Sequence, residues 1–298
     1  MEGLRRDAIT GPRTDETPSP ARQARRAPSA DGEAPVIGTA RATAAAPAPY
    51  EAPEIYDLLF ESLDFDRAFW LRAGREARGP VLDLGCGTGR VLIPLLEAGV
   101  DADGVDLFPP MLERLRVKAA KKGFRPHLLA ADMRDFTMPR LYARVICAFN
   151  AFAHCETIED QLATLRCCRE HLEPGGALVL HISYPGAALW LGGGEPVLEH
   201  ESTNPANGNR LQLYDRRFMD AVNQRQRSEI EVRELDSGGS VVASHRFEAR
   251  QRWVYLYELE LLLRLAGFSR WEIQGDFEGA PLERDDQQMI AWAWREPA

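Results

Sequence analysis

The chain contains no apolar run long enough to cross a bilayer as a helix, which takes roughly 20 residues. Its longest candidate, Leu256–Leu265, is interrupted by Glu258, Glu260 and Arg264. The first residues lack the hydrophobic centre of a signal peptide, since Arg5-Arg6 is followed by Asp7 and Thr10. No membrane partner is expected. Cysteine is sparse: Cys86, Cys147, Cys155, Cys167 and Cys168. The count is odd and none forms a C-x-x-C pair, so neither a disulfide framework nor a metal site is expected. That usage fits a reducing cytoplasm. The neighbours Cys167 and Cys168 read as packing residues of a helix. Positive charge is also in deficit, with a formal net charge of −9. Nucleic-acid binding demands a basic face. Arg22, Arg25 and Arg26 are offset by Asp15, Glu16, Asp31 and Glu33, so no nucleic-acid partner is expected.

What is present is a 298-residue chain, 45% hydrophobic, enough for one large domain or two small ones. Residues 1–49 are rich in Ala, Pro and Arg and lack hydrophobic periodicity. They bury too little apolar surface to offset ordering entropy and read as a disordered tail. The folded domain is expected over 50–298. It begins with helical spacing at Glu54–Phe60 and Phe65–Ala77, an N-terminal lid of about 50–78, with Asp64 or Asp66 as cap candidates.

Strands and helices then alternate. Val81–Leu84, Ala102–Leu107, His127–Ala131, Arg144–Phe149 and Gly176–Ile182 read as strands. Arg90–Ala98, Pro109–Lys122 and Thr157–Leu172 read as helices, the last capped by Thr157 with Asp160 at the reciprocal position. This implies an α/β fold: a doubly wound, mostly parallel sheet covered on both faces. After Tyr184, three strands (Arg210–Phe218, Ser228–Leu235, Val241–Arg250) with a turn at Ser237-Gly238-Gly239 predict an antiparallel β insertion. This cap follows the fifth strand and occupies about 185–252. A helix (Tyr255–Ala266) and two strands (Trp271–Gln274, Met289–Trp294) complete the sheet, the last antiparallel.

The strongest chemical signal is Val81-Leu-Asp83-Leu-Gly85-Cys86-Gly87-Thr-Gly89-Arg90. A buried strand enters a glycine-rich turn that opens a helix. In open α/β sheets, ligands sit at the carboxyl ends of the strands. The spacing is G-x-G-x-G, not the G-x-G-x-x-G of dinucleotide sites, and no Walker lysine follows. Asp83 beside the loop suits an ammonium group, directly or through water, better than a pyrophosphate.

These residues resemble the signature of class I S-adenosylmethionine-dependent methyltransferases, with a Rossmann-like fold. The likeness spans roughly Glu54 to Arg295. It implies S-adenosyl-L-methionine as cofactor and S-adenosyl-L-homocysteine as product, held by Asp83, Gly85, Cys86, Gly87 and Gly89. By the same resemblance Asp106, followed by Leu107, binds the ribose hydroxyls. Asp132-Met133 holds adenine, with Asp135 as a competing carboxylate, and Phe149-Asn150 lies beside the methyl donor.

The segment Phe149-Asn-Ala-Phe-Ala-His154 resembles glycine and sarcosine N-methyltransferases. Asp132-Met-Arg-Asp-Phe136 resembles deoxyamino-sugar N-methyltransferases. Both groups carry a β-rich insertion at this point, and Tyr56-Asp57-Leu58 fits their cofactor-covering helix. No arginine follows the fifth strand in His181-Ile-Ser183-Tyr184, so glycine itself is not expected as the substrate. Phe60 stands where the sugar enzymes use tyrosine. The likeness implies a small-molecule acceptor, methylated on an amine nitrogen, with oxygen and then carbon as alternatives.

His154 is the candidate base or orienter, its alternative being a hydrogen bond to a loop backbone. Asn150 and Tyr184 are expected beside it, and His181 in the core. Trp253, Tyr255 and Tyr257 line the pocket or pack within the cap. A non-catalytic S-adenosylmethionine-binding module and a nicotinamide oxidoreductase are the rival readings. A homo-oligomer is compatible with the sequence.

Overall fold

The computed structural model describes residues 47–190 and 194–297. The expected tail lies outside these residues, apart from its last three. Pro47 already accepts a hydrogen bond from the Glu248 amide at 3.0 Å, and a short 3-10 turn at Pro49–Glu51 follows.

Helix α1 (Pro53–Phe60) begins with proline at N1, where a missing N–H costs nothing. Helix α2 (Arg67–Arg75) follows Asp66. Asp66 occupies the N-cap position, but its carboxylate does not cap. It accepts from Trp70 Nε1 at 2.9 Å and from Arg90 instead. The alternation then runs as β1 (Val81–Leu84), α3 (Leu92–Glu97), β2 (Ala102–Asp106), α4 (Pro109–Lys121), β3 (Leu128–Ala130), β4 (Tyr142–Cys147), α5 (Ile158–His171) and β5 (Leu172–Ser183). Thr157 caps α5, its hydroxyl accepting from the Asp160 amide at 3.0 Å.

After the insertion come α6 (Leu256–Leu265) and two further strands, Arg270–Gln274 and Gln288–Trp294, which take the labels β10 and β11. The seven strands lie in the order β10-β11-β5-β4-β1-β2-β3. Strands β1 to β5 pair in parallel. Strand β11 runs antiparallel to β5, and β10 antiparallel to β11. Side chains alternating along β1 feed two cores. Leu82 and Leu84 pack with Leu165, Leu180 and Leu263, while Val81 packs with Phe69, Leu92 and Leu115 on the other face. The strand order reverses between β1 and β4, which is where an open α/β sheet leaves a crevice.

The insertion is a four-stranded antiparallel sheet, not three-stranded: β6 (Val197–Thr203), β7 (Arg210–Asp220), β8 (Arg225–Leu235) and β9 (Val241–Arg252). Strand β6 lacks a strand signature because it is an edge with mostly exposed residues, including Glu199 and Glu201. One face of this sheet packs on α1. Leu211, Leu213, Val232 and Phe247 enclose Leu59, with Ile55, Leu58 and Phe60 against them. Each such side chain contributes roughly 1.5–3 kcal/mol by leaving water, so the cap and the lid helix hold each other.

Candidate functional site

At the end of β1 the chain turns through Gly85 and Gly89, at φ +74° and +93°. A Cβ at Gly85 would lie 2.8 Å from that of Ala151, and one at Gly89 would meet Leu115. Both positions therefore require glycine for space as well as for backbone conformation. The loop backbone at Gly85 and Gly87 lines a cavity of about 1000 Å³ that extends to the underside of the cap sheet. Asp106, Leu107, Asp132, Met133, Phe149, Asn150, His154 and Tyr184 all line this same cavity. The fold thus gathers residues from the ends of β2, β3, β4 and β5.

Three expected cofactor residues, Asp83, Cys86 and Gly89, do not line this cavity. Asp83 is buried behind the loop, on the face that carries Val81, and accepts from the Leu92 amide. Its Oδ2 has no hydrogen-bond partner. Burial pushes its pKa up to about 7. Its carboxylate therefore does not reach the cavity. Cys86 is buried under Gly104, where any Cβ would press on its sulfur.

Asp106 holds the loop in place. Its Oδ2 accepts from the Gly87 amide at 2.8 Å and its Oδ1 from the Phe108 amide at 2.9 Å. Burial raises its pKa, while these amides act in the opposite sense. Asp132 is gripped in bidentate fashion by Arg134, at 2.9 and 2.6 Å, which holds its pKa below the usual range. Asp135 joins Asp132 only through a backbone bridge, so Asp132 is the carboxylate on the wall.

The turn after β4 is strained. Phe149 and Asn150 are successive non-glycine residues with φ of 51° and 61°. Three side chains hold them there. His181 Nδ1 accepts from the Phe149 amide at 3.2 Å, and its Nε2 donates to Gln288 Oε1 at 2.9 Å. Asn150 pairs with Ser183, donating to its hydroxyl at 3.0 Å and accepting its amide at 2.6 Å. Arg90 lies 4.4 Å above the Phe149 ring and forms a bidentate pair with Asp66. The core role expected for His181 is thus also a positioning role.

His154 has both ring nitrogens engaged. The Arg250 carbonyl, 3.0 Å from Nδ1, can only accept, so Nδ1 carries the proton. Nε2 therefore accepts from the Tyr50 hydroxyl at 2.7 Å. Burial lowers the His154 pKa and keeps the ring neutral. The backbone contact weighed as an alternative is present, and it leaves Nε2 free to accept.

Sequence reasoning did not foresee Tyr50, Phe108 or Arg90. Tyr50 packs its ring on Tyr56, Phe108 and His154. Its one signal is that it ends a long stretch without aromatics. Trp253, Tyr255 and Tyr257 do not line the cavity. Trp253 packs on Trp190, Tyr255 on Tyr184, and Tyr257 is exposed.

Residues 81–176 match the methyltransferase domain family. The chain is an S-adenosylmethionine-dependent methyltransferase. It is 29% identical over 242 residues to the cypemycin N-terminal methyltransferase of a Streptomyces species, covering 80% of this chain and 94% of that one. It is 30% identical over 131 residues to a putative methyltransferase, YqeM, of Bacillus subtilis, covering 43% and 52%. Its fold matches the structure of the CcbJ methyltransferase from Streptomyces caelestis with a TM-score of 0.67 at 27% identity, covering 84% of this chain and 99% of that one. The Rossmann-like methyltransferase fold and the cofactor S-adenosylmethionine follow, whereas the nicotinamide reading does not.

The site fits that cofactor. Each oxygen of Asp106 keeps an acceptor lone pair beyond its amide partner, matching a ribose diol. Leu107, Phe108, Met111 and Met133 give apolar walls for a base, with Asp132 at their edge as an acceptor for an amine.

Proposed function

We propose that this methyltransferase acts on the amine nitrogen of a small molecule. The observation that carries the reading is the single cavity joining the glycine loop to the cap. Its volume of about 1000 Å³ is at the upper end for small-ligand sites, room for a cofactor and a modest acceptor together. The names of the relatives support nitrogen. One is an N-terminal methyltransferase, and another, from Streptomyces venezuelae, is an amino-sugar N,N-dimethyltransferase, 30% identical over 134 residues and covering 55% of that protein.

In this reading Asp106 and Leu107 hold the ribose and Asp132 and Met133 the adenine, while Gly85, Cys86, Gly87 and Gly89 shape the loop around the methionine portion, backed by Asp83. S-adenosylmethionine supplies an electrophilic methyl group. The chain orients the acceptor and excludes water, a contribution of roughly 7–11 kcal/mol for well-placed reactants. Phe149 and Asn150 form the wall beside the transfer point, with Tyr184 across from it. The proton released by the acceptor nitrogen passes to the Tyr50 oxygen as the Tyr50 proton moves to His154 Nε2, while Nδ1–H stays on the Arg250 carbonyl.

Oxygen methylation is the alternative, favoured by a 35% identity over 102 residues to a ubiquinone biosynthesis O-methyltransferase of Cereibacter sphaeroides, of which the match covers 39%. The domain reading has a lid of about 50–78, a cap of about 185–252 and a tail before residue 50. A cytoplasmic location without nucleic-acid or membrane partners is supported by the acidic balance and by the lack, among the described residues, of any helix long and apolar enough to span a membrane.

The test is mass spectrometry of reactions containing purified chain, S-adenosylmethionine and panels of small amines and alcohols. Methylated amines, lost in Asn150→Ala and His154→Ala, support the reading. Methylated alcohols alone overturn the nitrogen assignment.

A further inference from the structure

The inner face of the cap sheet has two halves. Strand register sets them: Leu213 lies opposite Val232, Asp215 opposite Ile230, and Arg217 opposite Ser228. The half nearer the β7 start is apolar and seats α1. The other half carries Asp215, Arg217, Ser228 and Gln226, all on the cavity wall. No packing role accounts for this polar half.

Asp215 is only 8% exposed. Its Oδ2 accepts from Arg217 Nε at 2.9 Å and from the Ser228 hydroxyl at 3.1 Å, and Ser228 in turn accepts from Gln226 at 2.7 Å. Its Oδ1 is buried and has no partner among the described residues. A buried carboxylate oxygen left unmatched is costly, and a ligand donor removes that cost. Arg217 does not neutralise the wall, because it also pairs with Glu199 at 2.8 Å. Two carboxylates share one guanidinium, leaving an excess negative charge facing the cavity.

We propose that Asp215 is a specificity-determining residue that binds a cationic N–H donor of the methyl acceptor through its free Oδ1. This rests on the small-amine reading above and narrows it. The acceptor carries a positively charged nitrogen held at the cap wall, apart from the neutral nitrogen that receives the methyl group. A protonated nitrogen has no lone pair to react, so holding and methylation fall to different groups. Ser228 and Gln226 are positioning residues that fix the carboxylate.

The experiment uses the full chain with S-adenosylmethionine and two probes of equal length, putrescine and n-pentylamine. Turnover is read by mass spectrometry. Binding of putrescine to the S-adenosylhomocysteine-loaded chain is read by calorimetry. The expected result is a kcat/KM about tenfold or more higher for putrescine, the scale of one charge-assisted contact. Asp215→Asn should erase that preference through KM, with cofactor affinity unchanged. Ser228→Ala, a milder change, should reduce it in the same sense should Asp215→Asn fail to fold. Equal turnover of both probes by the wild type, or a preference that survives in Asp215→Asn, overturns the Asp215 assignment and leaves amine methylation standing. No turnover and no binding of either amine by a chain that binds S-adenosylmethionine overturns both.

Discussion

The Tyr50 hydroxyl donates to His154 Nε2 at 2.7 Å, joining residues 104 positions apart. The contact ties the 3-10 turn at Pro49–Glu51 to the loop after β4. It places a phenol and a neutral imidazole on one cavity wall, with the imidazole oriented by the Arg250 carbonyl behind it. In the proposed reaction this contact carries the proton from the acceptor to the imidazole.

Tyr50→Phe should lower kcat by roughly 10- to 100-fold, within the range of general acid–base assistance, with S-adenosylmethionine affinity little changed. Steady-state kinetics with parallel calorimetry checks this. The wild-type rate should fall on the acid side, below the ordinary histidine value of about 6.5, because burial holds the His154 pKa down. A folded histidine that binds its proton less readily than the unfolded one also loses stability as pH falls through this range. His154→Ala should remove both effects.

Asp106→Ala should weaken S-adenosylmethionine binding by about tenfold or more, since it removes a charged acceptor and releases the Gly87 amide. NAD should bind neither form. Calorimetric titration of both proteins with both ligands decides it, and NAD binding would return the nicotinamide reading.

Asp66 and Arg90 form a bidentate pair whose side chains are 0% and 8% exposed. Asp66→Ala should destabilise by about 3–5 kcal/mol, because it strands a buried guanidinium. Replacing Arg90 with Met as well should cost less than the sum of the two single changes. Chemical denaturation of the three variants measures this. Equal and additive losses would mean that the pair is not coupled.

Asp83 titrates near 7 in the folded protein and near 4 when unfolded. The folded state therefore binds the extra proton, and stability through this group declines as pH rises from about 4 to 7. Asp83→Asn should be more stable than wild type by about 4 kcal/mol at pH 7.5, with the advantage disappearing below about pH 4. Melting curves across that range are the readout, and a constant offset would contradict the assignment.

The sequence was most legible where one face or one turn decides the structure. The run Val81–Leu84 is apolar apart from Asp83, and it is β1 to the residue. Thr157 caps α5 as its spacing predicts. Legibility failed where a side chain's direction decides. Asp83 sits in the right motif, yet strand alternation turns it away from the cavity. Asp66 sits at a helix start, but Arg90 takes its carboxylate. Tyr50 and Arg90 bond to partners far along the chain, His154 and Asp66, and no local pattern announces such pairings. Strand β6 escaped because an edge strand needs few apolar residues.

The two halves of the cap face have a consequence for how acceptor range can change. Leu211 and Leu213 pack on α1, while Asp215 and Arg217 line the cavity, all on one face of one strand. Exchanging Asp215, Arg217, Ser228 or Gln226 leaves the hydrophobic seat intact, so substrate preference can drift by point substitution without dismantling closure. An insertion of one residue ahead of Leu211 in β7 would turn Leu211, Leu213, Asp215 and Arg217 outward together and lose both at once. Directed evolution of this enzyme toward new acceptors should therefore accumulate substitutions on β7 and β8 and reject changes of length there.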